Sequence, residues 1–280
     1  MKNYGILALA AMVLTACSQD EEQIELSGSP VEKETVTMTF SPYQMEAMTR
    51  TAVSIADVVT KLDVWIYESG TEVEAIHQTS AEAGFGSITV TLNKTKTYTL
   101  YAIGHKADGA TLENGIISFT NDKVTHSMYY TTTFTPATTT SLSCLMNRIV
   151  AQFQFNTTDQ KKQEVTKMRF TISDVFDRWS VTDGATHGLD RVSNFENLTT
   201  KADGTVTFNI YAIVTDAQTL HTVTVESFDS NDEPVDSRIF TDVPLRNGYK
   251  TTYTGTYFTN TATTGTFTIG DWNEYDVVNF

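Results

Sequence analysis

The feature that most narrows the possible folds is an alternation of period two that recurs along most of the chain. In residues 35–40 (TVTMTF), Val36, Met38 and Phe40 fall on one face and threonines on the other. Successive strand side chains point to opposite faces, so such a run predicts a strand with one face buried. Leu62, Val64 and Ile66 alternate in the same way with Asp63, Trp65 and Tyr67, and Ile88, Val90 and Leu92 do so a little later. The runs RIVAQFQFN, VTKMRFTISDVF, GTVTFNIYAIVTD, HTVTVESFD and DSRIFTDVPL are of the same β-branched and aromatic type, which suits a pleated surface. Asp108-Gly109, Asn114-Gly115, Asp183-Gly184, Asp203-Gly204, Asn231-Asp232 and Asn247-Gly248 punctuate them as turns. No helical period competes in the first half. The fold class is all-β, with short strands spaced as in sandwiches.

Residues 87–103 read as a hairpin. The Ile88–Val90–Leu92 alternation turns at Asn93-Lys94-Thr95-Lys96 and returns along Tyr98 to Ile103. One internal echo bears on organisation, since Thr99-Leu100-Tyr101-Ala102-Ile103 resembles Asn209-Ile210-Tyr211-Ala212-Ile213. Together with the order of strands it suggests a duplicated sandwich, with a boundary near Met146, where TPATTTSL gives way to CLMNRIVAQF. The expected units are 35–146 and 147–280.

The chain begins MKNYGILALAAMVLTACSQD: a lysine, an apolar run from Tyr4 to Val13, then small residues. That is the layout of a secretory signal, and the apolar run falls well short of the ~20 residues that span a bilayer. Leu14-Thr15-Ala16-Cys17 resembles the lipobox of bacterial lipoproteins. The resemblance implies removal of residues 1–16 and acylation of Cys17, which would anchor it in outer-membrane lipid at ~0.8 kcal/mol per buried CH₂. Residues 17–34 are acidic and almost free of aromatics, and read as a tether. The acids just after Cys17 resemble signals that direct lipoproteins to the cell surface.

Charge and chemistry exclude several classes. A formal net charge of −15 without a basic cluster repels phosphate backbones, so no nucleic-acid partner is expected. Cys17 and Cys144 are the two cysteines. With Cys17 acylated, Cys144 has no disulfide partner in the chain and reads as a buried thiol. The five histidines show no ligand spacing, and no metal or cofactor is expected. Asp229-Ser230-Asn231-Asp232-Glu233 has Pro234 where a calcium loop needs glycine and Phe240 where it needs an acid, so it reads as a polar hairpin loop. No phosphate-binding or nucleophile-elbow motif occurs. Asp174/Asp177 is one of many acidic pairs, and nothing in its spacing selects it as a glycosidase dyad. Trp65, Trp179 and Trp272 either line a sugar-binding surface or pack in the sandwiches. Asn93, Asn156 and Asn197 open glycosylation-like triplets that read as turn and strand residues. No enzyme is expected.

With the lipobox at Cys17, the stretches TVTLNKTKTYTLYAIGH, NRIVAQFQF, VPLRNGYKTTYTGTYF and TFTIGDWNEYDVVNF resemble the fimbrillins and fimbrillin-like subunits of type V pili. The resemblance implies two tandem Greek-key, transthyretin-like sandwiches that assemble by strand exchange with other fimbrial subunits. The resemblance further implies that a protease cuts after an arginine, that the lipid and first strand leave, and that a strand of the next subunit fills the groove. Arg50 is the only arginine before Arg148, so Arg50-Thr51 is the implied processing bond. Val36, Met38 and Phe40 form the implied removable strand, and Phe267, Ile269, Val277, Val278 and Phe280 the donor. The runner-up is a lipid-anchored surface binding protein, or a fimbrial anchor, in which Arg50 stays intact.

Overall fold

The structure is a computed structural model that describes residues 31–43, 53–184, 186–187, 191–197, 200–259 and 264–272. The chain from Glu32 onward forms one compact unit. Its strands in the first half are β1 (Lys33–Pro42), β2 (Lys61–Glu68), β3 (Thr71–Thr79), β4 (Ser87–Asn93), β5 (Tyr98–His105), β6 (Ala110–Glu113), β7 (Ile116–Phe119), β8 (Met128–Phe134) and β9 (Ser141–Arg148). Those of the second half are β10 (Ala151–Thr157), β11 (Lys167–Ser173), β12 (Arg178–Ser180), β13 (Thr186–His187), β14 (Arg191–Asn197), β15 (Thr207–Ala212), β16 (Thr219–Phe228), β17 (Pro234–Leu245), β18 (Tyr249–Thr256) and β19 (Thr264–Asp271). Short 3₁₀ turns at Ile55–Asp57 and Thr120–Asp122 complete the regular structure. The fold is all-β.

The first sandwich faces layer β4-β1-β9 against layer β3-β2-β5-β8, joined where Met128 and Tyr129 of β8 pair with Arg148 and Asn147 of β9. Its core is built by the predicted alternation. Val36, Met38, Leu62, Val64, Ile66, Leu100 and Met146 are buried between the layers, with Ile88, Val90 and Leu92 closing the far side.

Residues 87–103 are not a hairpin. β4 pairs with β1 at the end of one layer, whereas β5 lies between β2 and β8 in the other. The Asn93 carboxamide accepts hydrogen bonds from the Thr95 amide and hydroxyl, both at 3.0 Å, so the tight turn is real. It carries the chain across the sandwich rather than back along one sheet, because alternation fixes a buried face and not a neighbour.

The second sandwich repeats the plan. Layer β15-β10-β18 matches β4-β1-β9, down to a first strand parallel to the last and antiparallel to the fourth. Layer β14-β11-β16-β17 matches β3-β2-β5-β8. The echo between residues 99–103 and 209–213 does not follow this correspondence, since it aligns central β5 with β15, the counterpart of edge strand β4. Phe155 is the centre of the second core. It stacks on Tyr253 at 4.9 Å and meets Phe170, Tyr257 and Phe240 edge-on at 5.5–5.9 Å, a preferred aromatic geometry.

A third sheet, β6-β7-β12-β13, takes two strands from each half. Asn114 (φ 50°) and Gly115 (φ 77°) make the β6–β7 turn, in which both central residues need positive φ. Ile117 of β7 pairs with Trp179 of β12. The outer face of the first sandwich joins the second core here: Trp65, Ile103, Phe119 and Tyr129 belong to the same buried cluster as Phe170 and Ile213. This explains why β2 is buried on both faces from Leu62 to Ile66.

Candidate functional site

β1 is the middle strand of its layer. It pairs antiparallel with β4 from Lys33↔Asn93 to Thr39↔Ser87, and parallel with β9 from Thr37↔Ser141 to Pro42↔Met146. Val36 and Met38 are fully buried, and Phe40 is 3% exposed. Outside, the Thr35 and Thr37 hydroxyls meet those of Thr91 and Thr89 at 3.3 Å. Burying three such side chains contributes roughly 5–9 kcal/mol, so loss of β1 would open an apolar slot between β4 and β9. Cys144 faces that slot beside Phe40, fully buried, and burial pushes its thiol up to about 12.

The chain leaves β1 through Tyr43, whose amide donates to the Met146 carbonyl at 2.8 Å, and is next described at Val53. It then enters the opposite layer through the Ser54-capped turn that buries Ile55. Arg50 and Thr51 lie outside the described residues, as does Cys17. A single backbone break after Tyr43 and before Val53 would leave β1 joined to the strands that follow it by its ladders and its apolar face alone. The equivalent strand of the second sandwich, β10, has no such freedom, since Ile149 and Val150 connect it directly to β9.

At the other end, β19 adds to the edge of β18 from Tyr249↔Asp271 to Thr256↔Thr264. Phe267 and Ile269 are half-buried, and Gly265, Thr266, Thr268 and Gly270 are exposed. Phe267 packs on Tyr253 at 5.4 Å and Phe240 at 5.9 Å. Val277, Val278 and Phe280 lie outside the described residues. Immediately after the strand, Trp272 is 6% exposed. It stacks on His126 at 4.7 Å and Tyr211 at 5.8 Å, under the Arg148 guanidinium at 4.4 Å. Arg148 Nη1 donates to the Trp272 carbonyl at 2.5 Å, and Arg148 Nε donates to His126 Nε2 at 3.1 Å. His126 Nε2 is therefore an acceptor. Burial, with Arg148 and Lys106 nearby, holds this imidazole well below its ordinary range, and burial pushes the Tyr211 phenol up to about 12.

The tryptophans do not form an exposed sugar-binding surface. Trp65 is 4% exposed, and half-buried Trp179 packs against Tyr129 at 5.8 Å. Asp177 is buried, and Asp174 sits in the preceding turn at φ 59°. Among the described residues no group of three His, Cys, Asp or Glu side chains could hold a metal ion. Asp229 accepts from the Asn231 and Glu233 amides at 2.8 and 3.0 Å, as a polar hairpin loop requires.

One polar cluster has no signal in the sequence. Asp63 bridges two imidazoles, with Oδ1 on His77 Nδ1 and Oδ2 on His105 Nε2, both at 2.6 Å. His105 Nδ1 accepts from the Ala107 amide, so Nε2 donates to Asp63. The cluster ties β2, β3 and β5 together, and no hydroxyl or thiol is hydrogen-bonded to either imidazole among the described residues. Also among the described residues, no helix is long and apolar enough to cross a membrane.

No protein-family model and no curated protein sequence matches the chain. Solved structures do match. A candidate cell adhesion protein from Bacteroides ovatus has a TM-score of 0.52 at 16% identity, over 86% of this chain and 98% of its own. The fimbrial anchor protein Mfa2 from Porphyromonas gingivalis has 0.51 at 11%, over 86% and 98%. A candidate adhesin from Bacteroides thetaiotaomicron has 0.51 at 12%, over 86% and 97%. The chain has the fold of these proteins.

Proposed function

We propose that this protein is a fimbrillin-like subunit of a cell-surface fimbria, acting in adhesion and assembled by strand exchange. The observation that carries the reading is the position of β1: central in its layer between β4 and β9, with its apolar face turned inward. Export as a lipoprotein through Cys17 would bring the subunit to the outer membrane with the slot filled. Cleavage at Arg50-Thr51 would detach lipid, tether and β1 together. A strand from another subunit would then take up the β4 and β9 ladders, main-chain bonds giving affinity and alternate apolar side chains giving register. Phe267, Ile269, Val277, Val278 and Phe280 are the candidate knobs of that donor.

The test compares the wild-type chain with Arg50→Ala, each exposed to an arginine-specific protease. Wild type is expected to yield a fragment beginning at Thr51, a ladder of denaturant-resistant oligomers, and transient maleimide labelling of Cys144 before the slot refills. Arg50→Ala is expected to stay monomeric with Cys144 protected. A surface form that begins elsewhere, or a ladder unchanged by Arg50→Ala, overturns the processing bond.

A second reading is an uncleaved anchor or lipid-anchored binding protein. It draws support from the fimbrial anchor among the similar structures, and from one described as a candidate polysaccharide-binding protein of Bacteroides thetaiotaomicron (TM-score 0.50, 11% identity, 80% of this chain and 93% of its own). It predicts a lipidated monomer at the cell surface with residues 17–50 in place.

A further inference from the structure

β19 is the one strand of the β15-β10-β18-β19 sheet that the plan of the first sandwich does not call for. In the first sandwich the corresponding flank of β9 meets only Met128 and Tyr129 of β8. The strand itself lies at the edge of its sheet. Its outward side carries Thr266, Thr268 and Gly270, and its inward side offers the half-buried Phe267 and Ile269. Trp272 differs from all of these. Its ring is closed in by side chains from three separate parts of the chain: His126 ahead of β8, Arg148 at the end of β9 and Tyr211 of β15. Arg148 holds it twice, by its charge over the ring face and by a hydrogen bond to the tryptophan's own carbonyl. Such a slot fits an aromatic ring at the end of an incoming strand, because ring stacking and cation–π attraction both need a flat π face.

We propose that Trp272 is a latch: its seat between His126, Arg148 and Tyr211 holds β19 in its own sheet, and withdrawal of this ring is the step that frees the C-terminal strand. That the freed strand is then given to another subunit rests on the function proposed above; the latch itself does not. With the latch closed, β18 is covered and Phe267 and Ile269 are engaged within their own chain, so premature association through them is suppressed.

The test is amide hydrogen exchange on the full chain, comparing Thr264–Asp271 with the core strand β16 in wild type, Trp272→Ala, Trp272→Phe and Arg148→Gln. Losing the buried ring is expected to accelerate exchange in β19 by roughly tenfold or more while β16 is unchanged, as for local opening of one edge strand. Trp272→Phe, which keeps a π face, is expected to recover part of the protection. Acceleration below about tenfold in Trp272→Ala overturns the latch. If that variant loses β16 protection, and so has not folded, Arg148→Gln decides by the same threshold. A freed β19 that never yields oligomers leaves the latch standing and removes the donor role.

Discussion

His126 shows how one residue couples packing to solution conditions. Its Nε2 accepts from Arg148, and burial beside Arg148 and Lys106 keeps it uncharged, although a hydrogen bond with the Val58 backbone favours the proton. An unfolded chain has no such constraint and takes up that proton below about pH 6.5. The folded pKa is the lower one, so this contribution to stability is fully present above pH 6.5 and declines as the solution is acidified. The urea midpoint is expected to fall between pH 7.5 and 5, and the fall to be smaller in His126→Gln, whose amide still accepts from Arg148. Equal slopes in the two proteins would show that other groups set the dependence. Little of this was legible in the sequence. HSMYY and LMNRIV carry no hint that His126 and Arg148 meet at Trp272. The sequence left Trp272 either lining a sugar-binding surface or packing in a sandwich.

At the scale of elements, the strands themselves were legible and their neighbours were not. Val36, Met38 and Phe40 alternate in the sequence and are buried in the fold, because a one-residue slip would turn all three outward. The crossover from β4 to β5 and the pairing of β7 with β12 have no local signature, since both depend on partners far along the chain. The end of β18 is another long-range case. Asp159, after β10, accepts from the amides of Tyr257, Phe258 and Thr259 and from the Thr259 hydroxyl at 2.7–2.9 Å. Burial opposes its charge, but these donors outweigh that and hold the carboxyl below its usual range. Asp159→Ala is expected to destabilise the fold by roughly 2–4 kcal/mol, since several amides lose a charged acceptor together. Denaturant unfolding measures this, and a change below about 0.5 kcal/mol, the scale of an ordinary surface substitution, would contradict it.

For the whole molecule, the shared sheet β6-β7-β12-β13 and the common buried cluster make the two sandwiches one body. The two ends of that body respond to tension in different ways. The chain enters at the start of β1 and leaves the first sandwich at the end of β9, and these neighbours run parallel. Stretching the sandwich from those two points slides the strands along each other, so all the bonds of the ladder share the load. β19 runs antiparallel to β18, and its last residue, Asp271, sits opposite Tyr249. A pull on the chain beyond Trp272 therefore loads that pair first and peels β19 like a zip. Handles at Glu32 and Ile149 are expected to give a distinctly higher rupture force than handles at Tyr249 and Trp272, and equal forces would refute this. A pull applied beyond Trp272 would then be met first by the ring seated under Arg148, while β1 and its ladders still held.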